Sequence, residues 1–188
     1  MIDQNDPRLT SYERDIAAMR GDFRHKSDQE ALACCALGLA EECAEVAFAV
    51  DGRGEDPIAE LGDVVWYVTT AANRLDWTME RLVNDIETNV EMSDYDEDED
   101  CVREMAMHAG VFAGHIKKWL FHDKPLSKAR TIRALAEVLE CAHRAARQLG
   151  STLNAARDLN VAKLRKRYPS GGFTTAEANA RADERPTE

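Results

Sequence analysis

Four carboxylates in the first third of the chain fall into two pairs, Glu42 with Glu45 and Glu60 with Asp63. Residues at i and i+3 share a helix face, so each pair can aim at one point, and pairs on two packed helices can converge. Hard divalent cations such as magnesium take oxygen ligands, which this arrangement supplies without a dedicated loop. Acids at that spacing are most often a solvated face. Here the neighbours are apolar. Leu39, Val46 and Ala49 share the face of Glu42 and Glu45, and Asp63 shares its face with Ala59, Trp66 and Tyr67 within the run Val64-Val65-Trp66-Tyr67-Val68. Carboxylates on core-facing stripes are costly unless paired or metal-bound. Spacing alone leaves both readings open; the surroundings favour the metal.

The elements that must hold these acids are helices, because helical spacing recurs throughout and period-two alternation does not persist. The pattern predicts helices over Leu9–Met19 and Asp28–Val50, the second stopping at Asp51-Gly52-Arg53-Gly54. Asp56 as N-cap and Pro57 at the first helical position start a third, running to about Leu75. Thr78 caps a fourth, to about Met92, and three more cover Val102–Leu120, Leu126–Leu149 and Thr152–Arg167. Ser93 to Asp100 is a charge run that reads as a solvated connection, and the chain beyond Tyr168-Pro169-Ser170-Gly171-Gly172 reads as a polar tail. The expected fold is all-α: one helical domain over 1–173, with 174–188 as tail.

The 188 residues are 44% hydrophobic and 31% charged, a globular balance. A net charge of -11 argues against general affinity for nucleic acid or an anionic membrane. A bound cation can still invert the local field for a small phosphorylated substrate. The start, Met1 to Asp6, has neither a basic nor an apolar stretch, and the most apolar segment, 31–50, carries Glu41, Glu42 and Glu45. The expectation is therefore no secretory signal, no membrane span and a cytoplasmic location. The five cysteines, Cys34, Cys35, Cys43, Cys101 and Cys141, make no C-x-x-C pair and read as small core residues in a reducing compartment.

The halves of the chain, about 28–92 and 102–168, lie over each other as a tandem repeat. Residues 59–65 match 133–139, and the same register sets Ala71-Ala72 over Ala145-Ala146, Leu75 over Leu149 and Thr78 over Thr152. Upstream, residues 39–47 match 105–113. The second half places His108, Val111 and Ala134 where the first has Glu42, Glu45 and Glu60; only Glu137, opposite Asp63, stays acidic.

Glu41-Glu42-Cys43-Ala44-Glu45 followed by Glu60-Leu61-Gly62-Asp63 resembles the E-E-x-x-E…E-x-x-D signature of the all-α NTP pyrophosphatases, the MazG-like superfamily that includes the dimeric dUTPases and dCTPases. The context agrees: Leu37-Gly38-Leu39-Ala40 precedes the first acids, and Val64-Val65-Trp66-Tyr67 follows the second. At the far end, Asn160-Val161-Ala162-Lys163-Leu164-Arg165-Lys166-Arg167-Tyr168-Pro169 is similar to the family's closing helix. The likeness spans most of 28–173.

The resemblance implies a helical bundle of MazG or dimeric-dUTPase type that cleaves a (d)NTP to (d)NMP and pyrophosphate. It implies magnesium, with manganese as an alternative, held by Glu42, Glu45, Glu60 and Asp63, neutralising phosphate oxygens and activating water for in-line attack. Glu41, one residue off that face, would orient a ligand or water. Asn160, Lys163, Arg167 and Tyr168 would contact substrate. Asn160 and Lys163 have no counterpart in the first half, where Ile86 and Asn89 stand, so each half keeps what the other lost. That pattern suggests one composite site per chain, and the resemblance implies a homodimer of such pseudo-dimeric chains. Without the family, the basic stretch from Lys163 to Arg167 reads as a helix end suited to its dipole. Trp66, Trp77 and Trp119 could stack on a base but are more often core, and His108, His115 and His122 lack the spacing of metal ligands. No P-loop, G-x-G-x-x-G or nucleophile elbow is present. The leading reading is a general or purine-directed pyrophosphohydrolase. The alternatives are a pyrimidine-specific dUTPase or dCTPase and a catalytically inactive helical interaction module.

Overall fold

The computed structural model describes residues 7–20, 23, 25–89 and 100–180. Those residues form eight helices and no strand: α1 (Ser11–Met19), α2 (Asp28–Val50), α3 (Pro57–Arg74), α4 (Met79–Asn89), α5 (Cys101–Phe121), α6 (Lys128–Gln148), α7 (Leu153–Arg167) and α8 (Thr175–Ala180). The charge run read as a connection lies, apart from Asp100, outside the described residues, as does the expected end of the fourth helix beyond Asn89. Asp100 is the N-cap of α5, its side chain accepting from Arg103 N. Part of the segment read as a tail is helical: Ser170 N and Oγ and Thr174 Oγ1 all donate to the Glu177 carboxylate, which ties α8 back to the turn before it.

Local chemistry sets the boundaries. Thr10 and Ser27 form capping boxes with Glu13 and Glu30, and Asp56 accepts from Ile58 N with Pro57 behind it. Helix α3 is buried on nearly every side, from Glu60 to Val65 and again from Val68 to Arg74, which identifies it as the central element. It packs against α2, α7 and α6, while α5 packs against α6 and α2. The third helix of each half crosses over, α7 lying on α3 and α4 lying on α6.

The turns that make these crossovers possible share one geometry. Leu75 and Leu149 end α3 and α6 with almost the same backbone angles, their N–H groups returning to Ala71 O and Ala145 O. Asp76 (φ 65°) and Gly150 (φ 71°) then take the left-handed conformation. Trp77 N bonds Ala72 O at 2.9 Å, as Ser151 N bonds Ala146 O at 2.8 Å. Thr78 and Thr152 cap the next helices through Arg81 N and Ala155 N. This register is the one in which the halves align in sequence.

A buried polar cluster fixes α1 and α4 to the end of α3. The fully buried Glu13 accepts from Thr10 N and Oγ1, from Asn73 Nδ2 at 3.0 Å and from Met79 N at 2.7 Å. Arg20 Nη2 donates to Asn73 Oδ1 at 2.8 Å, and Arg74, over the Phe23 ring, donates to Lys26 O and Phe23 O.

The two left-handed positions make a paired prediction. Open space surrounds the Cβ position of Gly150, so Gly150→Ala bears only the conformational penalty and should lower unfolding free energy by about 1 kcal/mol. Asp76→Gly relieves the same penalty and should raise it by roughly 0.5 kcal/mol. Urea titration of the three proteins checks the signs; equal midpoints would show that these turns carry no strain.

Candidate active site

Helices α2 and α3 bring the first-half acids together. Oxygens of Glu42, Glu60 and Asp63 all lie within 4.8 Å of one another. Glu60 and Asp63 are buried and Glu42 is half-buried. Glu42 Oε2 and Glu60 Oε2 are both buried without a hydrogen-bond partner. Glu45 is exposed and stands outside this cluster, although its charge acts on both Glu42 and Glu60. Glu41 is exposed as well, and its charge acts on Cys34 and Tyr67.

The second half closes the cluster from α7. Asn160 Nδ2 donates to Asp63 Oδ1 at 2.6 Å, and Lys163 Nζ pairs with Asp63 Oδ2, groups 97 and 100 residues apart in sequence. The approach depends on Gly62. A Cβ there would stand 2.4 Å from Ala156 O and 2.9 Å from Asn160 Cβ, so only glycine lets α7 lie so near α3. At the matching place on α6 stands Ala136. Gly38 has a similar role on α2, where the Tyr67 ring fills the space a side chain would need. Arg167 is half-buried and close enough for its charge to act on Lys163. Tyr168 is buried in the core, edge-on to Phe173 with ring centroids 5.6 Å apart.

One neighbour of the site escapes a reading of the acids by spacing. Tyr12 of α1 is buried, and its hydroxyl donates to Asn160 Oδ1 at 3.4 Å; nothing in the local pattern of α1 marks it. Tyr67 lies one turn beyond Asp63, and that spacing was the available signal. Trp66, Trp77 and Trp119 all pack against the core. Among the described residues no histidine joins a cluster of metal-ligand type. In the second half, Glu137 pairs with Arg133 at 3.5 Å, and the positions matching Glu42 and Glu60 hold His108 and the buried Ala134.

The electrostatics follow from crowding. Burial, then the charges of Asp63 and Glu45, push the Glu42 carboxyl up to about 9, with Lys163 opposing. Burial raises Glu60 to about 7, where Lys163 again opposes and Asp63 and Glu45 add. For Lys163, burial works against the charge, but Asp63 and Glu60 outweigh it and the net direction is upward. Three carboxylates share a small volume and two of their buried oxygens lack a donor. A divalent cation fits that oxygen-only set.

Among known protein families, the model of the MazG nucleotide pyrophosphohydrolase domain matches residues 31–89. Those residues form a MazG domain. The match holds all four acids on α2 and α3 and ends before the helix that supplies Asn160 and Lys163. The MazG domain makes the chain a hydrolase acting on a nucleotide phosphoanhydride. A search of curated proteins and one of solved structures find no match. Among the described residues no helix is long and apolar enough to cross a membrane.

The raised carboxyls give the metal-free protein a defined pH dependence. A folded pKa above the unfolded one means that the unfolded chain sheds its proton first, so stability falls as pH rises. For Glu42 the window runs from the ordinary 4.5 to about 9. Chelator-treated protein should therefore lose more stability than its Glu42→Gln variant between about pH 6 and 9. Parallel urea-unfolding curves for the two would contradict the crowded cluster.

Proposed function

We propose that the chain is a magnesium-dependent nucleoside triphosphate pyrophosphohydrolase that yields a monophosphate and pyrophosphate from a ribo- or deoxyribonucleoside triphosphate. The observation that carries this reading is the meeting of Glu42, Glu60 and Asp63, with partnerless buried oxygens, against Asn160 and Lys163. Glu42, Glu60 and Asp63 would hold magnesium, or manganese in its place, with Glu45 at the rim, and the ion would neutralise phosphate charge and act as a Lewis acid. Asn160 fixes the Asp63 carboxylate by its amide. Lys163 and Arg167 supply positive charge for the outer phosphates. Glu41 would act at a remove, on water or the rim. Tyr168, held against Phe173, supports the end of α7 that carries Arg167.

The composite arrangement divides the work between a half that keeps the acids and one that keeps the amide and ammonium. The matching turns at 71–81 and 145–155 support a duplication as its origin. Leu37 and Phe48 on α2 and Met107, Val111 and Phe121 on α5 are exposed apolar residues, which supports pairing of two chains. The five cysteines are all free, which supports a cytoplasmic setting.

The deciding assay offers the eight common ribo- and deoxyribonucleoside triphosphates with magnesium and reads the products. Pyrophosphate and a monophosphate should appear from at least one. Asp63→Asn should lower the rate at least roughly a hundredfold, whereas Glu137→Gln, at a position whose three matching partner acids are replaced by His108, Val111 and Ala134, should change it by less than about threefold. Orthophosphate with a diphosphate would contradict the reading.

A further inference from the structure

Lys163 does more in this cluster than wait for a phosphate. Its ammonium pairs with Asp63 Oδ2 and lies near enough to Glu60 and Glu42 for its charge to act on both carboxyls. It therefore stands among the same oxygens that would ligate a cation. Both Asp63 oxygens are already engaged, one by Asn160 and the other by Lys163. A divalent ion entering beside the ammonium would meet strong repulsion at short range. The lysine side chain is one-quarter exposed, so it has a route outward that the buried Asn160 lacks. Its long flexible stem can turn the ammonium away while the backbone of α7 stays in place.

We propose that Lys163 is a built-in counter-cation: it closes the acid cluster when no metal is bound, competes with the divalent ion for Asp63, and is released by metal entry toward the incoming triphosphate. The proposal rests on the metal-site reading above and goes beyond it. The family resemblance implies a substrate contact for Lys163; the ion pair with Asp63 gives it a second role. Metal and triphosphate then favour each other, since the metal frees Lys163 for the triphosphate and the triphosphate draws Lys163 away from the metal's ligands.

Calorimetric titration of the full, chelator-treated chain with magnesium alone tests this without turnover. Lys163→Met keeps the apolar stem and removes the charge, and it should bind magnesium roughly threefold to tenfold tighter than the wild type, the range expected for loss of a partly buried competing ion pair. Lys163→Arg, which retains the charge, should stay near the wild type. Wild-type binding with equal or weaker affinity in Lys163→Met would overturn the proposal and leave the metal site standing. No magnesium binding by the wild type would overturn both. Should Lys163→Met fail to fold, acetylation of Lys163 Nζ in the wild type, followed by mass spectrometry, provides the second measurement. Saturating magnesium should speed that acetylation, and an unchanged rate would overturn the proposal.

Discussion

Helix α7 can lie against α3 because position 62 has no side chain, and the rest of the site depends on that contact. Ala156 O occupies the space a methyl group at 62 would need, and one turn further along α7 Asn160 reaches Asp63. The glycine sits between two acids, inside a helix where it weakens the backbone. What it gives in return is tertiary. It joins carboxylates from the MazG domain to an amide and an ammonium about a hundred residues away. The α6 helix carries an alanine at the matching place, and its Glu137 is held by its own arginine, so the crossover of α4 there builds no equivalent cluster among the described residues.

Two sets of buried acids in one small protein show how burial divides by purpose. Glu13 is sealed from solvent, yet four donors from three elements meet its two oxygens. Such a carboxylate is structural: satisfied, it fixes α1 and α4 on α3. Glu42 and Glu60 are the reverse. Each keeps a buried oxygen with no donor, and each is pushed toward its neutral form by its surroundings. A fold tolerates that conflict where a ligand resolves it. The contrast argues for function from the geometry itself, independently of the family match.

Much of this was legible in sequence because it is local. Asp56 and Pro57, Thr78 and Thr152 announce their helices by caps that act within one turn, and α2 ends where Asp51 and Gly52 stop it. The acid pairs were legible by spacing, with one difference. Residues three apart diverge by about 60° around the axis, so on α2, which has a solvated side, Glu45 emerges at the rim while Glu42 turns inward. On α3 the same divergence leaves both Glu60 and Asp63 inside, because that helix is covered nearly all round. Tyr12, the Glu13 cluster and α8 were not legible. Each depends on partners brought together by packing, as when Phe173 N meets Met19 O, and no local period records such a meeting.

Gly62→Ala tests the central claim most directly, namely that the second half completes a site whose metal ligands lie in the first. The substitution leaves every acid in place and forces α7 outward. With the helical circular dichroism of the wild type retained, magnesium affinity should be kept or improved while kcat/KM for the preferred triphosphate falls by at least roughly tenfold, the scale expected when positioning groups are displaced by an ångström or so. A folded Gly62→Ala protein with undiminished kcat/KM would contradict the account, because catalysis would then need nothing from α7.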